Sequence, residues 1–293
     1  MSVRLVITDA MWGRIEPLMP ADPVRGRRWA DHRRTLEAIA WKYRTCSPWR
    51  DLPRELGSFK TAHKRLIRWA EDGTWERIFA SLLACADMAD DLGWTVAVDS
   101  TVCRAHQHAA GARKRGRPGR SEPDDHALGR SRGGLSTKVH LASDSQARPL
   151  ALHVTAGQAG DAAAFAAVMA RIRVPRTGPG RPRTRPEVVL ADRAYSSRAI
   201  RGYLRRRGIR AVIPQPADQI RHRLRRGRAG GRPPSFDTEA YKERNIVERC
   251  INRLEQWRGL AMRTDKLALA YRAALHLAAI LMWARCGPGT VRG

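Results

Sequence analysis

The sequence predicts an α/β protein: a mixed sheet with flanking helices, preceded by an all-α region. Three observations predict it. Apolar residues recur at helical spacing through positions 1–90. At Gly93 the texture changes to short β-rich runs, the first being residues 94–98 (WTVAV). Strands and helices then follow in the order of three strands, helix, strand, helix, strand and a long helical stretch, a pattern that suggests a sheet covered on both faces. The expected division is a helical region over 1–90 and an α/β region over 91–293.

Composition narrows the partners. The 293 residues include 55 Lys and Arg against 28 Asp and Glu, a net charge of +27, so a polyanion is the expected partner. Hydrophobic residues make up 43%, enough for a core, which excludes a wholly disordered basic tail. Cysteines stand at 46, 85, 103, 250 and 286 with no CxxC pair, which excludes zinc-ribbon spacing and argues for reduced thiols. The N-terminus lacks a signal-peptide pattern. The longest apolar stretch, 273–284, is too short to span a bilayer and reads as a docking helix. A soluble, cytoplasmic, nucleic-acid-facing protein without a membrane role is expected.

The elements follow in order. Thr8-Asp9 caps a short helix that runs through Met19, with Trp12, Ile15 and Leu18 on one side, and Pro20 and Pro23 end it. Leu36, Ile39, Ala40 and Tyr43 mark a second helix over 33–44. The turn-rich CSPWRDLPRELG separates it from a third, which begins near Ser58 and stops at Asp72-Gly73, and a fourth covers 74–89. Helix, turn, basic helix is the order of a helix-turn-helix reader of DNA. The candidate recognition helix presents Lys60, His63, Lys64, Arg65 and Arg68, of which Lys60, Lys64 and Arg68 are four apart and share a face. In the second half, strands are expected at 94–98, 138–142, 150–155, 188–191 and 211–214, with helices at 161–172, at 196–207 and from about 237 onward. Asp161 is expected to cap the first of these helices. Three Gly/Pro/Arg segments, 111–134, 173–186 and 221–235, read as mobile basic loops; the first contains Arg115-Gly116-Arg117-Pro118.

Three acids carry the candidate chemistry. Asp99 ends the run VAVD, and Asp192 ends VVLAD. A carboxylate just past a buried strand stands at the sheet's carboxyl edge, where ligands of open α/β sheets bind. Two such charges buried together need a cation, and oxygen donors without thiolate suit a hard divalent ion. The third acid lies in YKERNIVERCINRLEQWR. At about 100° per residue, Tyr241, Arg244, Glu248 and Glu255 fall on one stripe, poor core material but suited to gripping phosphate oxygens and completing a metal site. Two ions held by three carboxylates, about 4 Å apart, would activate an attacking hydroxyl and stabilise a departing 3′ oxygen.

These residues resemble the DDE transposases of bacterial insertion sequences, in the insertion-sequence four and five superfamily, over nearly the whole chain. TDAMWGRIEPLMP, WRDLP and FKTAHKRLIRWAEDGTWERI look like that family's helical DNA-binding region. VDST and ADRAY match the segments of its first two acids, Asp99 and Asp192. The spacing Tyr-x2-Arg-x3-Glu gives Tyr241, Arg244 and the third acid, Glu248. Glu255 departs from the pattern, which has Lys there. The resemblance implies a ribonuclease H-like catalytic domain and two Mg²⁺ ions, with Mn²⁺ as a substitute. It also implies binding to double-stranded DNA, both terminal inverted repeats and target, and cleavage and strand transfer by a homodimer or larger assembly. Glu255 leaves one alternative, a catalytically defective copy that binds DNA ends as a repressor.

Overall fold

The computed structural model describes residues 4–25, 28–114 and 122–285. Thr8 Oγ1 accepts from the Met11 amide at 3.3 Å and caps α1 (Asp9–Ile15), which tightens into a 3-10 turn at Glu16–Leu18. Asp31 caps α2 (His32–Thr45), whose Leu36, Ile39 and Tyr43 are buried. The CSPWRDLPRELG segment forms two 3-10 turns, Trp49–Asp51 and Arg54–Leu56. Gly57, at φ +90°, then reverses the chain into α3 (Phe59–Glu71), and Gly73, at φ +75°, separates it from α4 (Thr74–Met88). A side chain at either glycine would meet the left-handed penalty.

The sheet is built on β1 (Thr95–Ala105). On one side β1 pairs antiparallel with β2 (Gly134–Ser143), which pairs antiparallel with β3 (Pro149–Ala156). On the other side it pairs parallel with β4 (Val188–Ala191), which pairs parallel with β5 (Arg210–Val212). Short strands at Gly129–Ser131 and Met262–Arg263 extend β2 and β1. The spatial order 3-2-1-4-5, with the first three strands antiparallel and the last two parallel, is the expected ribonuclease H-like mixed sheet. Helix α5 (Asp161–Arg171) covers β2 and β3 on one face, and α6 (Arg198–Arg206) packs on β5. Further along lie α7 (Ala217–Arg225) and α8 (Asn245–Glu255), and α8 crosses β1 and β2 on the face opposite α5.

Helix α9 (Ala268–Arg285) is apolar on nearly every side because neighbours surround it: α1, α3 and α4 along most of its length, and β3 beneath. Trp283 Nε1 donates to the Pro149 carbonyl at 2.7 Å. One apolar core therefore runs from the N-terminal helices through α9 into the sheet. Among the described residues no helix is long and apolar enough to cross a membrane.

Five expectations change. β1 does not end at Asp99: residues 99–104 stay paired with β2, from Asp99 opposite Leu141 to Arg104 opposite Ser136. Three polar residues in a row, Asp99, Ser100 and Thr101, hid that half of the strand. What ends there is the pairing with β4, whose last rung is Val98 with Ala191. The segment at 221–235 opens inside α7, which begins beyond Pro216, and continues as a turn at Gly227–Gly230. The segment at 173–186 is closed by a Val174–Arg183 bridge, and the end of 111–134 forms the Gly129–Ser131 strand. Arg115-Gly116-Arg117-Pro118 lies outside the described residues. Finally, Asp161 does not cap α5. Gly160 holds that position without a side-chain bond, and Asp161 turns toward the sheet.

Candidate active site

Because β1 and β4 run parallel and Val98 lies beside Ala191, the next residue in each segment is an acid, and Asp99, midway along β1, and Asp192, just past β4, emerge together where the ladder between the two strands ends. Each is fixed by one backbone bond. Asp99 Oδ1 accepts from the Ser100 amide at 2.8 Å, and Asp192 Oδ1 accepts from the Ala194 amide at 2.8 Å, which caps the turn Arg193–Tyr195. Glu248, in the first turn of α8, comes from above the sheet. Arg244 links Glu248 to Asp99: its two terminal nitrogens donate to Glu248 Oε1 at 2.9 Å each, and Nη1 stands 3.4 Å from Asp99 Oδ2.

The expected unbroken helix through Tyr241 and Glu248 is two helices. Tyr241 belongs to a short one, Thr238–Lys242, capped by Asp237, and a turn at 243–244 precedes α8. The turn keeps i to i+3 bonding, Arg244 N to Tyr241 O at 3.0 Å and Val247 N to Arg244 O at 3.1 Å, so the stripe survives the break. The Tyr241 phenol is pushed up from its ordinary value by burial foremost; Arg244 opposes this, while the charges of Asp192, Asp99 and Glu248 add to it. The Asp99 carboxyl is also raised, by burial foremost. The Ser100 amide and Arg244 pull it down, while Asp192 and Glu248 push it up, as expected of acids gathered at one point.

Among the described residues no three acidic, imidazole or thiol side chains converge closely enough to hold a metal ion as they stand. Between Asp99 and Glu248 lies the Arg244 guanidinium. The donor set is nonetheless all carboxylate oxygen, and two of its members already share one cation, so the residues fit a hard divalent ion.

Glu255 is held at the far end of α8 by Thr101, whose Oγ1 donates to Glu255 Oε1 at 2.8 Å. Thr101 lies two residues beyond Asp99 on the same strand face. The departure from Lys therefore has a local partner: the glutamate ties the end of α8 to β1.

The basic face of α3 is partly as expected. Lys60, His63, Lys64 and Arg68 are exposed, with the His63 ring edge-on to Trp49 at 5.4 Å. Arg65 is a correction. It is 5% exposed, its guanidinium lies 3.7 Å over Trp29 and 5.0 Å over Trp69, and Nη1 stands 3.3 Å from His32 Nδ1. Helical spacing places it with Ala62, Leu66 and Trp69 on the buried face, and burial pulls its pKa down to about 10. Sequence reasoning also passed over Ser100, Thr101 and Lys138. The strand's period of two, counted outward from Asp99, is the signal that marks Ser100 and Thr101.

Comparisons with known proteins give the family. A family model described as a putative transposase of the IS4/5 family matches residues 7–79, and one described as a transposase DDE domain matches residues 91–283. The chain belongs to the DDE transposases of insertion sequences. A putative transposase for insertion sequence element IS402 of Burkholderia cepacia is 31% identical over 164 residues, 56% of this chain and 69% of that protein. An uncharacterized protein, y4sN, of Sinorhizobium fredii is 40% identical over 110 residues, 37% of this chain and 83% of that protein. Among solved structures, the Mos1 strand transfer complex aligns with 82% of this chain and 80% of its own, at 15% identity and a TM-score of 0.26, too distant to carry weight.

Proposed function

We propose that this transposase binds the terminal inverted repeats of its own insertion sequence, cuts the DNA at those ends and joins them to target DNA. Asp99, Asp192 and Glu248 are its catalytic acids. The observation that carries the reading is that Asp99 of β1 and Glu248 of α8 share the Arg244 guanidinium, while Asp192 leaves the end of β4 beside Asp99. The acids would hold two divalent ions, Mg²⁺ with Mn²⁺ as a substitute. When bound, such ions supply an activated oxygen nucleophile and a counter-charge for the departing 3′ oxygen. Arg244 and Tyr241 line the same edge and would grip the scissile phosphate, Arg244 leaving its carboxylate partners for phosphate oxygens of the same geometry. The first step exchanges a phosphodiester bond for a bond to water oxygen and leaves a free 3′-OH. In the second, that hydroxyl attacks a target phosphate and displaces another 3′ oxygen. One phosphodiester replaces another, so no ATP is needed.

End recognition falls to the helical region 1–90 ahead of the catalytic region 91–293, with Lys60, His63, Lys64 and Arg68 on the exposed face of α3 as the DNA contacts. The +27 charge supports this assignment. Joining two ends in one event calls for at least a homodimer on DNA, working at the cytoplasmic nucleoid.

The test uses a plasmid bearing the repeats that flank the gene, with Mg²⁺ or Mn²⁺. End-specific nicks and joined products are expected. Asp192→Asn should lower cleavage by about 100-fold or more while end binding stays within about twofold. Equal loss of binding would make Asp192 structural. Tight end binding without cutting in the unaltered protein would favour the end-binding repressor.

A further inference from the structure

A second carboxylate stands behind Asp99, on the opposite face of the sheet. Ser100 points away from Asp99, as the strand's alternation requires, and its Oγ donates to Asp161 Oδ1 at 2.6 Å. Lys138 of β2 donates from Nζ to the same oxygen at 3.0 Å. His140, paired opposite Ser100, closes the group: Nδ1 lies 3.9 Å from Asp161 Oδ1, and Nε2 lies 2.8 Å from Thr155 Oγ1. The same Ser100 donates its backbone N–H to Asp99 Oδ1. One residue therefore links two carboxylates, by its hydroxyl on one face and its amide on the other. With Oδ1 taken, Asp99 presents Oδ2 toward Arg244 and Glu248.

We infer that Asp161 is a positioning residue for Asp99. Its charge is matched by Lys138, which makes it a poor seat for a divalent ion and a good anchor for a neutral donor. Through Ser100 it fixes the rotation of the Asp99 carboxylate, as outer hydrogen-bond partners do for metal-holding side chains generally. The inference rests on the reading of Asp99 as a metal-holding acid.

The experiment measures Mn²⁺ binding to the full-length protein, by the paramagnetic resonance of free Mn²⁺, with and without repeat-end DNA. Ser100→Ala and Asp161→Ala should each weaken Mn²⁺ binding by about tenfold, with end-DNA affinity unchanged. The double variant should lose no more than either single one. Asp161→Asn, which keeps an oxygen for Ser100, should recover most of the loss. If Asp161→Ala fails to fold, Ser100→Ala, which leaves the Asp161–Lys138 pair intact, decides alone. Normal Mn²⁺ binding by Ser100→Ala overturns the positioning role, and loss in Asp161→Ala alone would make Asp161 itself a ligand, which overturns it too. Asp192→Asn separates the two levels. Binding lost there but intact in Ser100→Ala leaves the metal site standing without the inference. Binding absent from the unaltered protein, or untouched by Asp192→Asn, removes the metal reading and the inference together.

Discussion

Arg65 and Lys64 are neighbours of like charge with opposite surroundings. Lys64 is exposed on α3, whereas Arg65 is sandwiched against Trp29 and Trp69. A planar, weakly hydrated guanidinium tolerates that position and an ammonium does not. Arg65→Ala should cost about 1–3 kcal/mol of stability through lost stacking and packing, read by denaturant unfolding, and leave the salt dependence of end binding unchanged. Lys64→Ala should do the reverse, reducing the slope of log affinity against log salt by about 1 with little change in stability. A stable Arg65→Ala with a lowered salt slope would return Arg65 to the DNA-facing set.

Helix α8 is an element pinned at both ends by carboxylates. At its start the flanking Arg244 reaches the carboxylate of Asp99 on β1, and at its end Glu255 meets Thr101 of the same strand. The helix carries one of the three acids, so its seating on β1 sets where that acid stands. Glu255→Gln keeps an oxygen for Thr101 and should leave cleavage within about threefold of the unaltered protein, since a neutral hydrogen bond contributes only about 1 kcal/mol. Glu255→Lys removes the acceptor at a half-buried site. It should lower the unfolding midpoint and slow cleavage, whatever it adds in attraction for DNA. Faster cleavage by Glu255→Lys would mean that the missing positive charge, not the tie to Thr101, limits the protein.

Across the whole molecule, burial sets the response to acid. His140 lies in the sheet under α5, where burial foremost, with His153 and Lys138 adding and Asp161 opposing, holds its pKa at about 4. Burial foremost, with Arg171 and Arg272 adding, does the same for His153, whose ring centroid is 6.0 Å from that of His140. Both imidazoles are neutral in the fold, while in the unfolded chain they take protons below about pH 6.5. At these two groups the unfolded state binds more protons between pH 6.5 and 4, so their contribution lowers stability as pH drops through that window. Urea unfolding at stepped pH should show the decline. His153→Gln should flatten it, and an unchanged slope in that variant would assign the protons to other groups.

The sequence by itself determined the class of fold and the order of its elements, and it named the three acids of the proposed site. Hydrophobic period, capping residues and glycine breaks are local signals, and the helices α1 to α4 and the strand β4 lie where those signals put them. Asp99 and Asp192 were legible because each follows a buried run. The tertiary structure alone decided what their neighbours do. Arg65 and Lys64 face different directions on α3, and the rings of Trp29 and Trp69 stand only on the side that Arg65 takes. The length of β1 depends on β2, which continues its ladder beyond Asp99, and local pattern cannot show a pairing partner. Asp161 had every local mark of a cap, yet Ser100 and Lys138, separated from it by 61 and 23 residues, claim its carboxylate. A local signal fixes backbone geometry over a few residues. The partner of a half-buried charge is chosen by desolvation and proximity, and these exist only once the sheet is assembled.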